Sequence, residues 1–439
     1  MSEDKVKKFL DFEVKNKLFD IVDDNGIRVW DLVRFRVGYE VVWEYYPGRE
    51  GSKKSLISIL KKHKTKLLQK LTVLKYLLSR KKYKVVFLIT SRYKKGEKYF
   101  DQNMDEVLKL YKKDEILVLD SAKTTNTIYK NTINYPQLKK RLSSGNPGFK
   151  PYDFREIVEL LKREFPYLRL KESSLNAPLK GFYRELNFAK KLFEKHPVEK
   201  VFFNQITCKG LIYQAQKKNI PVIEVQHGII DKNHFVYNYP AGVGVEQKCY
   251  VPDKILTLSD FWMKDFYSPI KTQTLGNDYF SSEVPLEPKY ENQILVISTN
   301  AFGDELSDVT INIAKSLIHW NIYYKLHPNE FASIDKYAQK FSAHKNIELF
   351  SNQRTVNDLL ADCPVMLTKQ STAIYEALQA SRAVVILDTG FFNDLQVDNV
   401  YHAENGDDII KLLSQKLPKQ ERTIFFDKFN PTIIKELIN

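Results

Sequence analysis

From Val198 onward the chain repeats one pattern: a short apolar, β-branched run, a segment of helical periodicity, then another run. Runs fall at Val198–Asn204, Ile220–Val225, Lys254–Leu258, Ile294–Ser298, Ile322–Leu326, Ile347–Leu349, Val365–Thr368 and Ala383–Leu387. Helical periodicity fills Thr207–Lys218, Ser259–Tyr267, 304–319, 330–343, Thr355–Ala361 and Thr372–Ala380. Upstream, Tyr83–Thr90 and Glu115–Leu119 read as two more strands, and 153–195 as helices. Runs apolar on both faces are parallel strands covered on both sides, and their alternation with helices predicts parallel sheets in α/β domains. A chain of 439 residues exceeds one ordinary core. Residues 268–292, rich in Pro, Ser, Gly, Asn and Glu, mark the boundary. The expectation is two Rossmann-like domains, 83–270 and 271–439, behind a helical, basic N-terminal extension over 1–82. Residues 121–150, polar and holding Gly145, Pro147 and Gly148, read as a loop or short insertion.

Composition narrows the class. Hydrophobic residues at 43% and charged residues at 28% are ordinary for a globular protein. No apolar run reaches the length of a membrane span, and the opening MSEDKVKKFL has no secretory core. Cys208, Cys249 and Cys363 are scattered and odd in number, which argues against a disulfide framework or a CxxC metal site and fits a reducing cytoplasm.

Net charge is +14, and it is concentrated. Gly51 to Gly96 holds fifteen Lys or Arg and no Asp or Glu, which leaves the rest of the chain near neutrality. Within it Leu56, Ile57, Leu60, Leu67, Leu68, Leu71, Leu74 and Leu78 recur at roughly helical spacing among Lys61, Lys62, Lys64, Lys66 and Lys70. Such a basic amphipathic segment suits an anionic membrane surface. It equally suits a helix that packs its leucines on the protein and turns its lysines outward. Nucleic acid ranks below both, since the segment has no interleaved aromatic platform, zinc-finger spacing or RNA-recognition signature.

Three strand ends carry polar groups where open α/β sheets collect ligands. Gln226-His227-Gly228 ends the run IPVIEV. His227 is a candidate general base, with Gly228 permitting close backbone approach. Lys325-Leu326-His327-Pro328 ends a second run, where an imidazole can donate to a phosphate or sugar oxygen. Lys369-Gln370-Ser371-Thr372 ends a third. Ser371 or Thr372 falls at a helix start suited to phosphate. Glu376, one turn in, is placed too late for a capping box and could accept from ribose hydroxyls. The dipeptide recurs at His196-Pro197, ahead of a strand rather than after one, and His196 there reads as a solvated loop residue.

IPVIEVQHGII, KLHPNE one hundred residues later, and TKQSTAIYEALQA together resemble the GT-B glycosyltransferases of bacterial surface-polysaccharide synthesis, over about 198–390. Closest in pattern are Kdo transferases, bacterial sialyltransferases and polysialyltransferases, and CDP-glycerol glycerophosphotransferases. The resemblance implies two parallel-sheet domains facing across a cleft. His327, Ser371 and Thr372 would hold donor phosphates and Glu376 the ribose, with Lys325 and Lys369 as nearby cations. His227 would deprotonate the acceptor, with inversion at the anomeric carbon. No Asp-x-Asp occurs, so no metal and no separate cofactor is expected, only a CMP-, CDP- or UDP-linked donor. The implied partners are a nucleotide-activated sugar, a glycan or lipid-linked glycan of capsule or lipopolysaccharide type, and the inner membrane face, with no nucleic acid. The acidic D/E-D/E-G triplet of the sialyltransferases is missing before the His-Pro motif, and Gln226 stands where glycerophosphotransferases favour an aromatic residue. Glycerophosphate transfer, nucleotide-sugar epimerisation and non-catalytic binding on the same fold are the alternatives.

Overall fold

The computed structural model describes residues 2–43, 68–122, 126–144, 148–204, 208–243, 250–281, 283–299, 302–369, 371–387, 400–415, 417–418 and 422–438. The chain forms two compact units, 1–274 with 431–439, and 275–430.

The first unit is built on seven parallel strands. In chain order the strands are β1 (Val85–Ile89), the small antiparallel hairpin β2 (Tyr93–Lys95) and β3 (Lys98–Phe100), β4 (Ile116–Asp120), β5 (Thr132–Asn134), β6 (Lys200–Phe203), β7 (Val222–Val225), β8 (Lys254–Thr257) and β9 (Lys271–Thr274). The parallel sheet runs β5-β4-β1-β6-β7-β8-β9. Its inner strands are buried at every position of β1, β4 and β7, as the apolar runs predict. After β1 the chain fills one side of the sheet, then returns to place β6 on the other. Strand order therefore reverses between β1 and β6.

The second unit repeats the design with six parallel strands: β10 (Gln293–Ile297), β11 (Asn321–Lys325), β12 (Ile347–Phe350), β13 (Val365–Thr368), β14 (Ala383–Leu387) and β15 (Tyr401–Ala403). Their order is β12-β11-β10-β13-β14-β15, so the reversal lies between β10 and β13. Two doubly wound parallel sheets in succession are the fold class expected from the sequence.

Several local expectations change. The helix expected over Ser259–Tyr267 is a series of turns. The Ser259 hydroxyl accepts from Phe261 N (3.3 Å), and Met263 leaves the helical region at φ 64°. Residues 121–150 are not simply a loop, for they hold β5 and a helix at Tyr135–Leu142. The polar stretch 268–292 opens with β9, an edge strand of the first sheet. His196 is not a solvated loop residue. It is 2% exposed, 2.7 Å from the Tyr76 hydroxyl and edge-on to Tyr83, because it caps the end of the helix Glu172–Lys195 where those two rings cover it.

The N-terminal helices Ser2–Lys15 and Val29–Trp43 are not appended to the first unit. Phe9, Trp30, Val33 and Val37 share one core with Val86 and Leu88 of β1. A fully buried Arg34 ties them in. It donates to both Glu13 oxygens (2.8 Å each) and to the carbonyls of Phe235 and Asn238. Asp31 accepts from Tyr239 Oη (2.8 Å), Tyr250 N (2.8 Å) and Lys209 Nζ (3.1 Å). Its pKa is lowered: burial opposes ionisation, and Lys209 with these donors outweighs it. Lys61, Lys62, Lys64 and Lys66 lie outside the described residues. Lys70 lies on the helical stretch 68–78.

Candidate functional site

In the second unit the sequence-selected residues His327, Lys369, Ser371 and Thr372 follow the carboxyl ends of β11 and β13, and Thr299 follows that of β10 beside them. His327 follows β11 and caps the 3-10 turn Pro328–Ser333. Its Nδ1 accepts from Asn329 N (3.1 Å), which places the ring proton on Nε2 as a donor. Glu330, buried, accepts from His327 N (3.0 Å) and Tyr337 Oη (2.6 Å). Gly303, at the start of helix Gly303–Ser316, lies so close to Glu330 and Tyr337 that a Cβ there would collide with both. Glu330 thus locks the His-Pro turn against that helix. Sequence reasoning passed over Glu330 and Gly303, whose role is spatial rather than periodic.

Ser371 Oγ accepts from Ala373 N (3.2 Å), a local turn ahead of the short helix Ala373–Gln379. Thr372, exposed, makes no side-chain cap. Lys369, nearly buried, pairs with Glu305 (2.5 Å) and sits over the Phe302 ring. The Thr299 hydroxyl, just past β10, is buried and has no hydrogen-bond partner among the described residues. Glu376 is half-buried and makes no hydrogen bond to a described residue; desolvation alone raises its pKa to about 7. Lys325 is committed elsewhere. Its ammonium donates to the carbonyls of Ser351 and Arg354 (2.7 Å to the latter), and burial lowers its pKa to about 8. A hollow of about 380 Å³ beside the His-Pro turn is lined by Asp304, Glu305 and Glu330 together with Lys336, which pairs with Asp304.

In the first unit His227 follows β7 by two residues. Gln226, fully buried, accepts from Leu258 N (2.9 Å) and donates to Gly228 O (2.8 Å), so it staples the ends of β7 and β8 and shapes the His227 turn. The His227 side chain makes no hydrogen bond to a described residue. Surrounding protein first, and the charge of Arg92 second, lower its pKa. The residue is exposed to water, which moderates that downward shift. His227 is therefore neutral at pH 7. Half-buried His234, stacked on Phe35, is likewise shifted down, by desolvation first.

The β1/β6 reversal carries groups that the sequence reading missed. Asp101, pushed up to about 6 by burial, accepts from Thr90 N (2.8 Å), Asn204 Nδ2 (2.7 Å) and Asn103 N (3.0 Å). Asp120, at the end of β4, accepts from Ser91 N (3.1 Å) and Ala122 N (2.8 Å), and burial raises its pKa. The signal was available: Asp120 and Asn204 both sit where apolar runs stop. Among the described residues no group of three His, Cys, Asp or Glu side chains is arranged to hold a metal ion.

No protein-family model matches the chain. No curated protein matches it by sequence. Solved structures with a related architecture include the UDP-GlcNAc 2-epimerase of Methanocaldococcus jannaschii in complex with UDP-GlcNAc and UDP (12% identity over 81% of this chain and 98% of that one, TM-score 0.45). MurG of Acinetobacter baumannii (12%, 81% and 90%, TM-score 0.38) and a variant of S. aureus TarM (15%, 54% and 52%, TM-score 0.35) are others. These likenesses are distant.

Proposed function

We propose that the chain is an inverting glycosyltransferase that moves a sugar from a nucleotide-linked donor to a hydroxyl of a surface glycan. The carrying observation lies within the second unit. His327, Thr299, Lys369 and Ser371 all stand at the carboxyl ends of β10, β11 and β13, around the point where strand order reverses. In open α/β sheets that crevice takes nucleotides. The donor's phosphates would receive the His327 Nε2 proton, the hydroxyls of Ser371, Thr372 and Thr299, and the Lys369 ammonium in exchange for Glu305. The helix behind Ser371 has seven residues, so side chains rather than its dipole supply most of the field. The Glu376 carboxyl, which no described residue engages, fits the paired hydroxyls of a ribose.

The acceptor oxygen attacks the anomeric carbon, the bond from that carbon to the phosphate oxygen breaks, and the acceptor proton passes to His227. Negative charge grows on the departing phosphate, where fixed donors lower the barrier. The acceptor is proposed to be lipid-linked, with the enzyme peripheral on the cytoplasmic membrane face. Among the described residues no helix is long and apolar enough to cross a membrane.

A thermal-shift panel of CMP, CDP, UDP, GDP and their sugars tests the donor site. One nucleotide family should raise the melting temperature, and His327→Ala and Glu376→Gln should each erase most of that shift. A panel with no response, or one unaffected by either substitution, overturns the assignment. Labelled sugar against labelled glycerol phosphate in the product then separates sugar transfer from glycerophosphate transfer.

A further inference from the structure

The helical stretch 68–78 is turned opposite to the usual way. Gln69, Val73 and Tyr76 are its buried face. Leu68, Leu71, Leu74 and Leu78 are 46%, 47%, 49% and 76% exposed. At 100° per residue these leucines fall on one stripe facing away from the core, with exposed Lys70 along one border and exposed Lys75 inside the stripe, between Leu71 and Leu68 around the axis, where its long stem can lie along the leucines and carry the ammonium outward. Of the two readings open for this segment, the structure has the leucines outside in its described part. A row of four solvent-facing leucines among lysines suits a helix that lies in the headgroup layer of a bilayer.

We infer that the leucine stripe of 68–78 is the bilayer-docking face of this protein, inserted among anionic lipids. The inference rests on the peripheral placement proposed above and adds the residues that make it. Charge selects the occupant. The surrounding Gly51–Gly96 holds fifteen Lys or Arg and no acidic residue. A second copy would bring the same positive field against itself, which opposes self-association through this face. Nucleic acid would engage the lysines and leave the leucines in water. An anionic bilayer satisfies both, with phosphate headgroups for Lys70 and Lys75 and acyl chains for the leucines. Leucine supplies depth and lysine supplies capture, so apolar substitutions and salt should weaken attachment separately.

The test is sedimentation with vesicles of phosphatidylglycerol and phosphatidylcholine, using the full chain and Leu71→Ser/Leu74→Ser. Both leucines are exposed, so the variant should melt with the wild type; a lowered melting temperature would show that they support the fold and would overturn the inference. Wild type should bind anionic vesicles and not pure phosphatidylcholine, and the variant should bind at least ten-fold more weakly at equal salt. No wild-type binding sinks the peripheral placement itself. Wild-type binding that the variant retains leaves that placement standing and overturns the leucine face. A variant that changes oligomeric state without changing vesicle binding assigns the stripe to a second copy instead.

Discussion

Arg34→Met asks whether the N-terminal helices belong to the working core. Arg34 and Glu13 are both fully buried and joined through two oxygens, and Trp30 Nε1 adds a third bond to Glu13 (2.7 Å). Removing the guanidinium leaves a carboxylate in the core with one neutral donor. Breaking a buried pair from one side costs roughly 3–5 kcal/mol, because the remaining charge has lost its compensation. The carbonyls of Phe235 and Asn238 lose their donor as well, at about 1 kcal/mol each. Urea unfolding followed by tryptophan fluorescence should register a loss of about 5 kcal/mol or more. Glu13→Gln/Arg34→Met should recover about half, since the neutral amide keeps Trp30 and strands no charge. Function should suffer too. Arg34 holds the loop in which Tyr237 donates to Glu224 of β7 (2.5 Å) and His234 lies against Phe35, beside the turn of His227. Turnover should fall more than nucleotide affinity, which belongs to the second unit. A single variant within about 1 kcal/mol of wild type, or a double variant no better than the single, refutes the reasoning.

His227→Ala should lower sugar transfer by about 100-fold or more while nucleotide-induced thermal shift stays as in wild type; undiminished turnover removes the base assignment. Because its environment lowers the pKa of His227, the acid limb of kcat/KM in wild type should fall below the pH 6.5 of an ordinary histidine. Glu376 has a folded pKa raised from 4.5 to about 7, so the native state keeps a proton that the unfolded chain has released. Wild-type stability should therefore decline between pH 4.5 and 7, and Glu376→Gln should match wild type near pH 4.5 and exceed it at pH 8 in urea titrations; a difference flat with pH contradicts the unpaired carboxyl. Gly303→Ala should destabilise the second unit by about 1–3 kcal/mol and weaken nucleotide binding, since the new methyl displaces Glu330 from the His-Pro turn. Retention of both would show that the turn is held by something other than Glu330.

What the sequence showed depended on whether a residue's role is written in its neighbours along the chain. β1, β4, β7, β10, β13 and β14 are buried on both faces, so burial itself writes an apolar run. β9, Lys-Thr-Gln-Thr, is an edge strand held by main-chain bonds to β8, and its exposed side chains carry no periodic signal. The helices at 2–15 and 29–43 looked peripheral because their anchors, Arg34 and Asp31, are charged residues that read as surface. Their partners lie more than two hundred positions away, at Phe235, Asn238, Tyr239 and Tyr250. In each unit the candidate residues His227, His327 and Ser371 were visible as polar groups stopping apolar runs. Thr299 and Asp120 sit in the same kind of place and were passed over for want of a motif.

Both units solve the same local problem in the same way. A histidine at the tip of a parallel strand stands on a turn with no sheet beyond it, so something other than the ladder must fix its backbone. In the first unit the buried amide of Gln226 does this, tying β7 to Leu258 on one side and to Gly228 on the other. In the second unit the buried carboxylate of Glu330 does it, accepting from the His327 backbone and from Tyr337. In each case the neighbour's side chain carries the positioning, which is why His227 can present an imidazole that no described residue engages. Gln226→Glu separates the two duties. A carboxylate can still accept from Leu258 N but cannot donate to Gly228 O, and it adds charge near an imidazole whose pKa its surroundings depress. The pH profile of turnover should move upward as that imidazole becomes easier to protonate, with nucleotide affinity unchanged. A profile that stays in place while stability falls would mean that Gln226 serves the sheet alone and that the His227 turn is held by other bonds.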